Sequence, residues 1–130
     1  LEQFFATFNY GTSLVNLQDY AGAAGVYDHA FSLMAALPAS ERPWRMLWYQ
    51  TGPYFAYYFS GRYQDVIDLA DNTLNPVNEP YLEESYVWRA RAKIVLGDPS
   101  AADDVRKALE YHPGFPPAVD LANQLGVSLE

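Results

Sequence analysis

The chain has 130 residues, half of them hydrophobic, with 16 acidic against 8 basic residues for a net charge of −8. That is enough apolar material to core one compact domain, and the acid excess disfavours nucleic acid or anionic membrane as partners, since both attract Lys- and Arg-rich faces. The absence of cysteine removes disulfides, thiol nucleophiles and thiolate metal sites, and leaves cytoplasmic and extracytoplasmic locations both open.

Apolar residues recur at three- and four-residue intervals nearly throughout, so the elements read as amphipathic helices. The first is expected at about 3–17 and the second at about 20–36, with Asp19 as an acceptor for backbone N–H groups at its start. Leu37-Pro38-Ala39-Ser40 ends this hairpin. Ser40 is the expected N-cap of a third helix, with Pro43 in its first turn, running to about Ser60 and closed by Gly61. A fourth helix covers about 63–74, followed by the break Asn75-Pro76-Val77-Asn78-Glu79-Pro80. A fifth spans about 81–96 and ends at Gly97; a sixth spans about 100–111. Pro113-Gly114-Phe115-Pro116-Pro117 then turns the chain into a last helix at about 117–125, closed by Gly126. Ala118, Leu121, Ala122 and Leu125 form its apolar side and Asp120 and Gln124 its polar side.

One spacing recurs. Asp19-Tyr20, Ala23, Tyr27, Ala30 and Phe31 return as Arg62-Tyr63, Val66-Ile67, Ala70 and Leu74, and more loosely as Gly97-Asp98, Ala102 and Ala108-Leu109. A period of roughly 34 residues marks stacked helical hairpins, whose end repeat needs a covering element. On these residues, with Gly11 and Ala23 in the close-packing slots of the first repeat, the chain resembles the tetratricopeptide repeat family over about residues 4–125. The resemblance implies an all-α solenoid of three antiparallel helix pairs, with repeats at about 4–37, 41–75 and 81–113 and a capping helix at about 117–125. Repeat two departs from the pattern by placing Tyr54 in the small-residue slot with Pro53 beside it. Repeat three is about one residue short in its second helix. A fainter likeness, carried by Trp48-Tyr49-Gln50-Thr51-Gly52-Pro53-Tyr54 and Ser60-Gly61-Arg62-Tyr63, is to repeat tails of secreted bacterial papain-like peptidase proteins; no peptidase residues accompany it. The start at Leu1 gives the further expectation of a domain excised from a longer protein.

The family implies a concave face lined by the first helix of each pair. The matching positions are Phe5, Phe8, Thr12, Val15 and Asn16, then Trp48, Thr51, Phe55, Tyr58 and Phe59, then Glu84, Val87, Arg91, Ile94 and Val95. Nine aromatics crowd the stretch from Trp44 to Tyr63. They serve either as interhelix filler, the reading favoured for Tyr54, Tyr57 and Tyr63, or as ligand anchors, favoured for Trp48, Phe55, Tyr58 and Phe59. Gly52-Pro53 inside the expected third helix implies a kink, either a packing device or a means of freeing the carbonyls of Trp48 and Tyr49 for a ligand. Asn9, Asn16 and Arg91 are candidate polar fixing points. Arg91 either takes a ligand carboxylate or pairs with Glu83 or Glu84. Arg89 and Lys93 share another face, and Asp103-Asp104 reads as solvated. The dicarboxylate clamp of chaperone adaptors is missing, because Phe8 and Thr12 stand at its first positions.

Enzyme signals in the spacing are weak. His29 and His112 have no hydroxyl or metal-ligand partner at useful separation, and no phosphate cradle, zinc-protease helix or calcium loop occurs. The expectation is a non-catalytic scaffold without cofactor or metal, binding an extended protein segment or another domain of its parent chain. The alternatives are a glycan-binding module using flat aromatic faces, and a structural docking domain or homodimer of a larger extracytoplasmic protein.

Overall fold

The computed structural model describes residues 1–43, 50–74 and 83–127. Among them are seven α-helices and no strand: α1 Glu2–Asn16, α2 Tyr20–Ala35, α3 Gly52–Phe59, α4 Tyr63–Leu74, α5 Glu83–Leu96, α6 Ala101–Tyr111 and α7 Pro116–Leu125, with a short 3-10 turn at Ala39–Glu41. Sequentially adjacent helices pack on one another: α1 on α2, α5 on α6 and α6 on α7. The chain divides into two compact units, Leu1–Arg62 and Tyr63–Glu130.

Specific caps set both ends of α2 and the end of α7. The Gly22 N–H donates to Asp19 Oδ1 at 3.0 Å, satisfying one of the orphan donors at the start of α2. At the other end of α2, Arg42 donates through Nη2 to the Ala35 carbonyl (2.9 Å) and through Nε to the Leu37 carbonyl (3.0 Å). α7 closes on Gly126 at φ 71°, which aims the Val127 N–H back at the Ala122 carbonyl (2.8 Å). Only glycine adopts that left-handed turn without a Cβ penalty.

Four expectations are corrected. Ser40 is not a helix N-cap: it lies inside the 3-10 turn, which leads into extended backbone at Arg42, and Pro43 is not helical. Pro53 does not kink a helix interior. α3 begins at Gly52 with Thr51 as its N-cap, so Pro53 stands in the first turn, where no intrahelical acceptor needs its missing N–H. The carbonyls of Trp48 and Tyr49, invoked for that kink, lie outside the described residues, as do Trp44 and the break at 75–80. Leu125 does not join the buried side of α7, being 38% exposed, whereas Ala118, Leu121 and Ala122 are buried. Asp104, finally, is not on a solvated face.

The first unit is cored by rings. Phe4, Phe8, Tyr27 and Tyr54 are almost wholly buried, and Tyr27 sits edge-on to Phe8 with centroids 5.0 Å apart. Tyr27 fixes how closely its neighbours approach. A Cβ on Gly11 would lie 2.8 Å from its ring, and a Cβ on Gly52 would collide with its hydroxyl. The Thr12 hydroxyl lies 3.3 Å from the Phe8 carbonyl and shares a 2.8 Å hydrogen bond with the Tyr27 hydroxyl. Burial raises the Tyr27 phenol above its ordinary value, against the opposing bond to Thr12.

The second unit is cored by small aliphatic side chains: Val87 and Ala90 from α5, Ala101, Val105 and Ala108 from α6, and Ala118, Leu121 and Ala122 from α7. Its one buried charge among the described residues, Asp104, is 3% exposed and held by two cations. Arg89 Nη2 lies 2.6 Å from Asp104 Oδ1, Arg89 Nε 3.0 Å from Oδ2, and Lys93 Nζ 3.0 Å from Oδ2. Arg89 also reaches Asp71 at 2.8 Å. Burial pulls the Arg89 guanidinium down, and the bonds and charges of Asp104 and Asp71 outweigh that, leaving it above its ordinary value.

Candidate functional site

α3 carries Phe55, Tyr58 and Phe59 on the side turned away from its buried residues Pro53, Tyr54, Ala56 and Tyr57. The division follows from helical geometry: an eight-residue helix resting on α2 and α1 can bury only part of its circumference. Tyr54 and Tyr57 point inward. Phe59 is 54% exposed and is the hub of a ring cluster. Its centroid lies 5.0 Å from Tyr20, 6.1 Å from Phe55 and 5.3 Å from Tyr58, the last at an interplanar angle of 85°. Tyr20, at the start of α2, is the member that sequence reasoning missed as a site residue. It carries the repeat pattern, which drew it into the packing account.

The far side of α3 is pinned by charge. Asp28 of α2 accepts two bonds from Arg62 (2.8 and 2.9 Å) and one from the Tyr57 hydroxyl (2.9 Å), and the Arg62 guanidinium lies 4.6 Å from the Tyr57 ring centroid. Desolvation pushes the Asp28 carboxyl up, and the bonds from Arg62 and Tyr57 with the Arg62 charge bring it below the ordinary 3.8. This pin holds the end of α3 on α2, and with it the orientation of Phe59.

The other expected groove residues separate into three groups. On α1, Phe5 (37% exposed), Asn9 and Asn16 are exposed, and Thr12 is half-buried against Tyr27. Phe8 is corrected: it is fully buried and presents no surface to a ligand, because the stripe that faces α2 runs through Phe4, Phe8 and Gly11. Thr51 and Gly52 are half-buried at the start of α3, and Gly52 meets Tyr27 and Thr12 in a packing node rather than at a kink. Trp48 lies outside the described residues. In the second unit, Arg91 is half-buried with its guanidinium 4.6 Å from the Trp88 ring centroid, a cation–π contact. Val87, also expected to face the groove, is core. Arg89 and Lys93 are committed to Asp104.

A second concavity lies between α1 and α2. It is an open cleft of about 510 Å³, mostly apolar, lined by Ala6, Thr7 and Tyr10 of α1 and by Gly22, Gly25, Val26 and His29 of α2. Side-chain reasoning passed over it because a cleft is made where side chains are missing; the signal available was Gly22-Ala23-Ala24-Gly25 in one helix.

His112, the C-cap of α6, places Nδ1 3.3 Å from Glu83 Oε1 and stacks on Phe115 at 4.8 Å. His29 is exposed and lines the α1–α2 cleft. Among the described residues no group of three or more His, Asp or Glu could hold a metal ion, and no helix is long and apolar enough to cross a membrane. Comparison of the chain with protein-family models, curated proteins and solved structures found no match to any of them.

Proposed function

We propose that the chain is a non-catalytic, tetratricopeptide-like scaffold that binds an extended protein segment through the ring cluster of its first unit. The observation that carries this reading is Phe59, more than half exposed at the centre of Tyr20, Phe55 and Tyr58. A large aromatic left in water is unfavourable unless something covers it, and rings bring large contact area at small rotamer cost, which is why they dominate binding hot spots. Tyr58, standing nearly perpendicular to Phe59, adds a wall to that platform, and the two tyrosines supply polar edges. Phe5, Asn9 and Asn16, exposed along α1 of the same unit, are the accessory contacts of this reading. The pin of Asp28, Arg62 and Tyr57 favours the same conclusion, because an anchor held rigid before binding loses less entropy on binding.

The test is selection of random linear peptides on the immobilised chain, followed by titration of the winners. Peptides rich in apolar or aromatic anchors are expected, with affinity falling about 30-fold or more in Phe59→Ala, the scale of a hot-spot truncation. Selected peptides that bind Phe59→Ala as well as wild type refute the assignment.

A further inference from the structure

Arg91 of α5 is the one arginine or lysine among the described residues whose N–H donors find no acceptor. Arg62, Arg89, Lys93, Arg106 and Lys107 each face a carboxylate, and Arg42 binds two carbonyls. Arg91 makes no hydrogen bond and no ion pair; its partner is the Trp88 ring, whose centroid lies 4.6 Å from the guanidinium. Glu83 and Glu84, the partners weighed from the sequence, do not engage it, and Glu83 faces His112 at 3.3 Å instead. Acids are not scarce nearby in sequence, since residues 63–130 hold 12 acidic and 5 basic residues. An arginine left without a carboxylate in such company keeps its donors for a group from another molecule.

The surroundings narrow what that group is. Trp88 is buried, so its ring is a fixed floor, and the guanidinium over it is held before any ligand arrives. A planar fork so held matches a carboxylate, whose two oxygens accept two parallel N–H bonds. The fork balances one negative charge. A phosphate group carries nearly two at neutral pH, and the excess would face a unit of net charge −7. One turn beyond Arg91, on the same side of α5, Val95 is exposed, and Leu96 beside it is exposed as well. A free carboxylate ion would use the fork and leave both in water, whereas an acidic residue next to an apolar one in a polypeptide covers them. Shielding Trp88 does not by itself call for arginine, since a methionine would cover the ring without a charge to desolvate.

We propose that Arg91, on its Trp88 floor, is a docking point for a carboxylate side chain of another polypeptide, with an apolar neighbour of that carboxylate resting on Val95. The point uses none of the residues of the Phe59 cluster and belongs to the other unit.

Nuclear magnetic resonance titration of the isotope-labelled chain tests the proposal, read at the Arg91 Nε–H and the Val95 amide. The probes are the acetylated, amidated tripeptide Leu-Glu-Leu and its counterpart Leu-Gln-Leu. The Glu peptide shifts both signals and binds about tenfold or more tighter than the Gln peptide, the scale of a charge-assisted hydrogen bond. Arg91→Met, which still covers Trp88, abolishes that preference; Arg91→Lys, which keeps the charge without the fork, retains only part of it. Phe59→Ala leaves the preference unchanged, so this site and the ring cluster stand or fall separately. Wild type that binds the two peptides equally, or binds neither up to about ten millimolar, overturns the proposal. So does a preference for Glu that survives in a folded Arg91→Met. Inorganic phosphate binding more tightly than the Glu peptide overturns the carboxylate assignment, and acetate binding as tightly as the Glu peptide overturns the polypeptide. The ligand comparisons use the wild-type chain alone, so they decide even where a variant fails to fold.

Discussion

The two units of this chain solve the same packing problem with opposite materials. Residues 1–62 hold 15 of the 21 aromatic residues and a net charge of −1; residues 63–130 hold the other 6 and a net charge of −7. Large rings leave little room where helices cross, so the first unit removes side chains at the crossings, at Gly11 and Gly52, both set by Tyr27. Alanines let helices approach anywhere, so the second unit needs no such glycine, and fixes its register with one buried carboxylate gripped by Arg89 and Lys93. The ring-cored unit also has rings left over at its surface. Phe5, Tyr10 and Phe59 are exposed there, and recognition by rings is proposed there for the same reason.

Four experiments sharpen or break this contrast. The largest effect is expected at Asp104. Asp104→Ala leaves two cations facing a buried site without their partner and is expected to destabilise the second unit by about 3–5 kcal/mol, read by urea unfolding. A loss below about 1 kcal/mol, the usual size for an exposed pair, would mean that the cluster is peripheral.

Next come the glycines. Gly11→Ala and Gly52→Ala push against Tyr27 and are expected to cost about 1–3 kcal/mol each, as overpacking does. Gly25→Ala is expected instead to stabilise the chain by about 0.5–1 kcal/mol. Thermal melts rank the three, and equal losses at all three positions would end the claim that Tyr27 sets the crossings.

A smaller effect is tied to pH. The Asp28 carboxyl titrates lower in the folded chain than its ordinary 3.8, so in acid the unfolded state binds the proton first. Its stabilising contribution is therefore full at neutral pH, starts to fall as pH drops through the region of 3.8, and is gone once the folded carboxyl is protonated as well. The stability difference between wild type and Asp28→Asn should narrow on acidification in that region. A gap that stays constant down to the acid limit would detach the pin from the Asp28 charge.

The smallest effect on folding is expected at Phe59→Ala, within about 0.5 kcal/mol, because the ring is more than half exposed. A larger loss would make Phe59 part of the core rather than a surface.

Helix positions were legible because their signals are local. The Asp19 cap and the Gly61, Gly97 and Gly126 stops need only neighbouring backbone, and α2, α4 and α7 begin and end within about one residue of expectation. Gly52-Pro53 was misread because proline suits both a kinked interior and a first turn, and the tie is broken by Tyr27, 25 residues away. Phe8 was assigned to a groove because a repeat pattern fixes spacing along a helix but not its rotation, which burial against α2 decides. Asp104 was read as solvated because nothing beside it in sequence announces Arg89, 15 residues earlier. The α1–α2 cleft is not legible in the residues because it forms where side chains are small or absent, as at Gly22 and Gly25.

The central claim is that recognition rests on the Phe59 cluster, and paired titrations test it most directly. Peptides selected on the wild-type chain are titrated against Phe59→Ala, with the unfolding free energies of both proteins measured in the same buffer. The account predicts binding weaker by about 30-fold or more, equivalent to about 2 kcal/mol, at unchanged stability. Undiminished binding in a folded Phe59→Ala protein would contradict it.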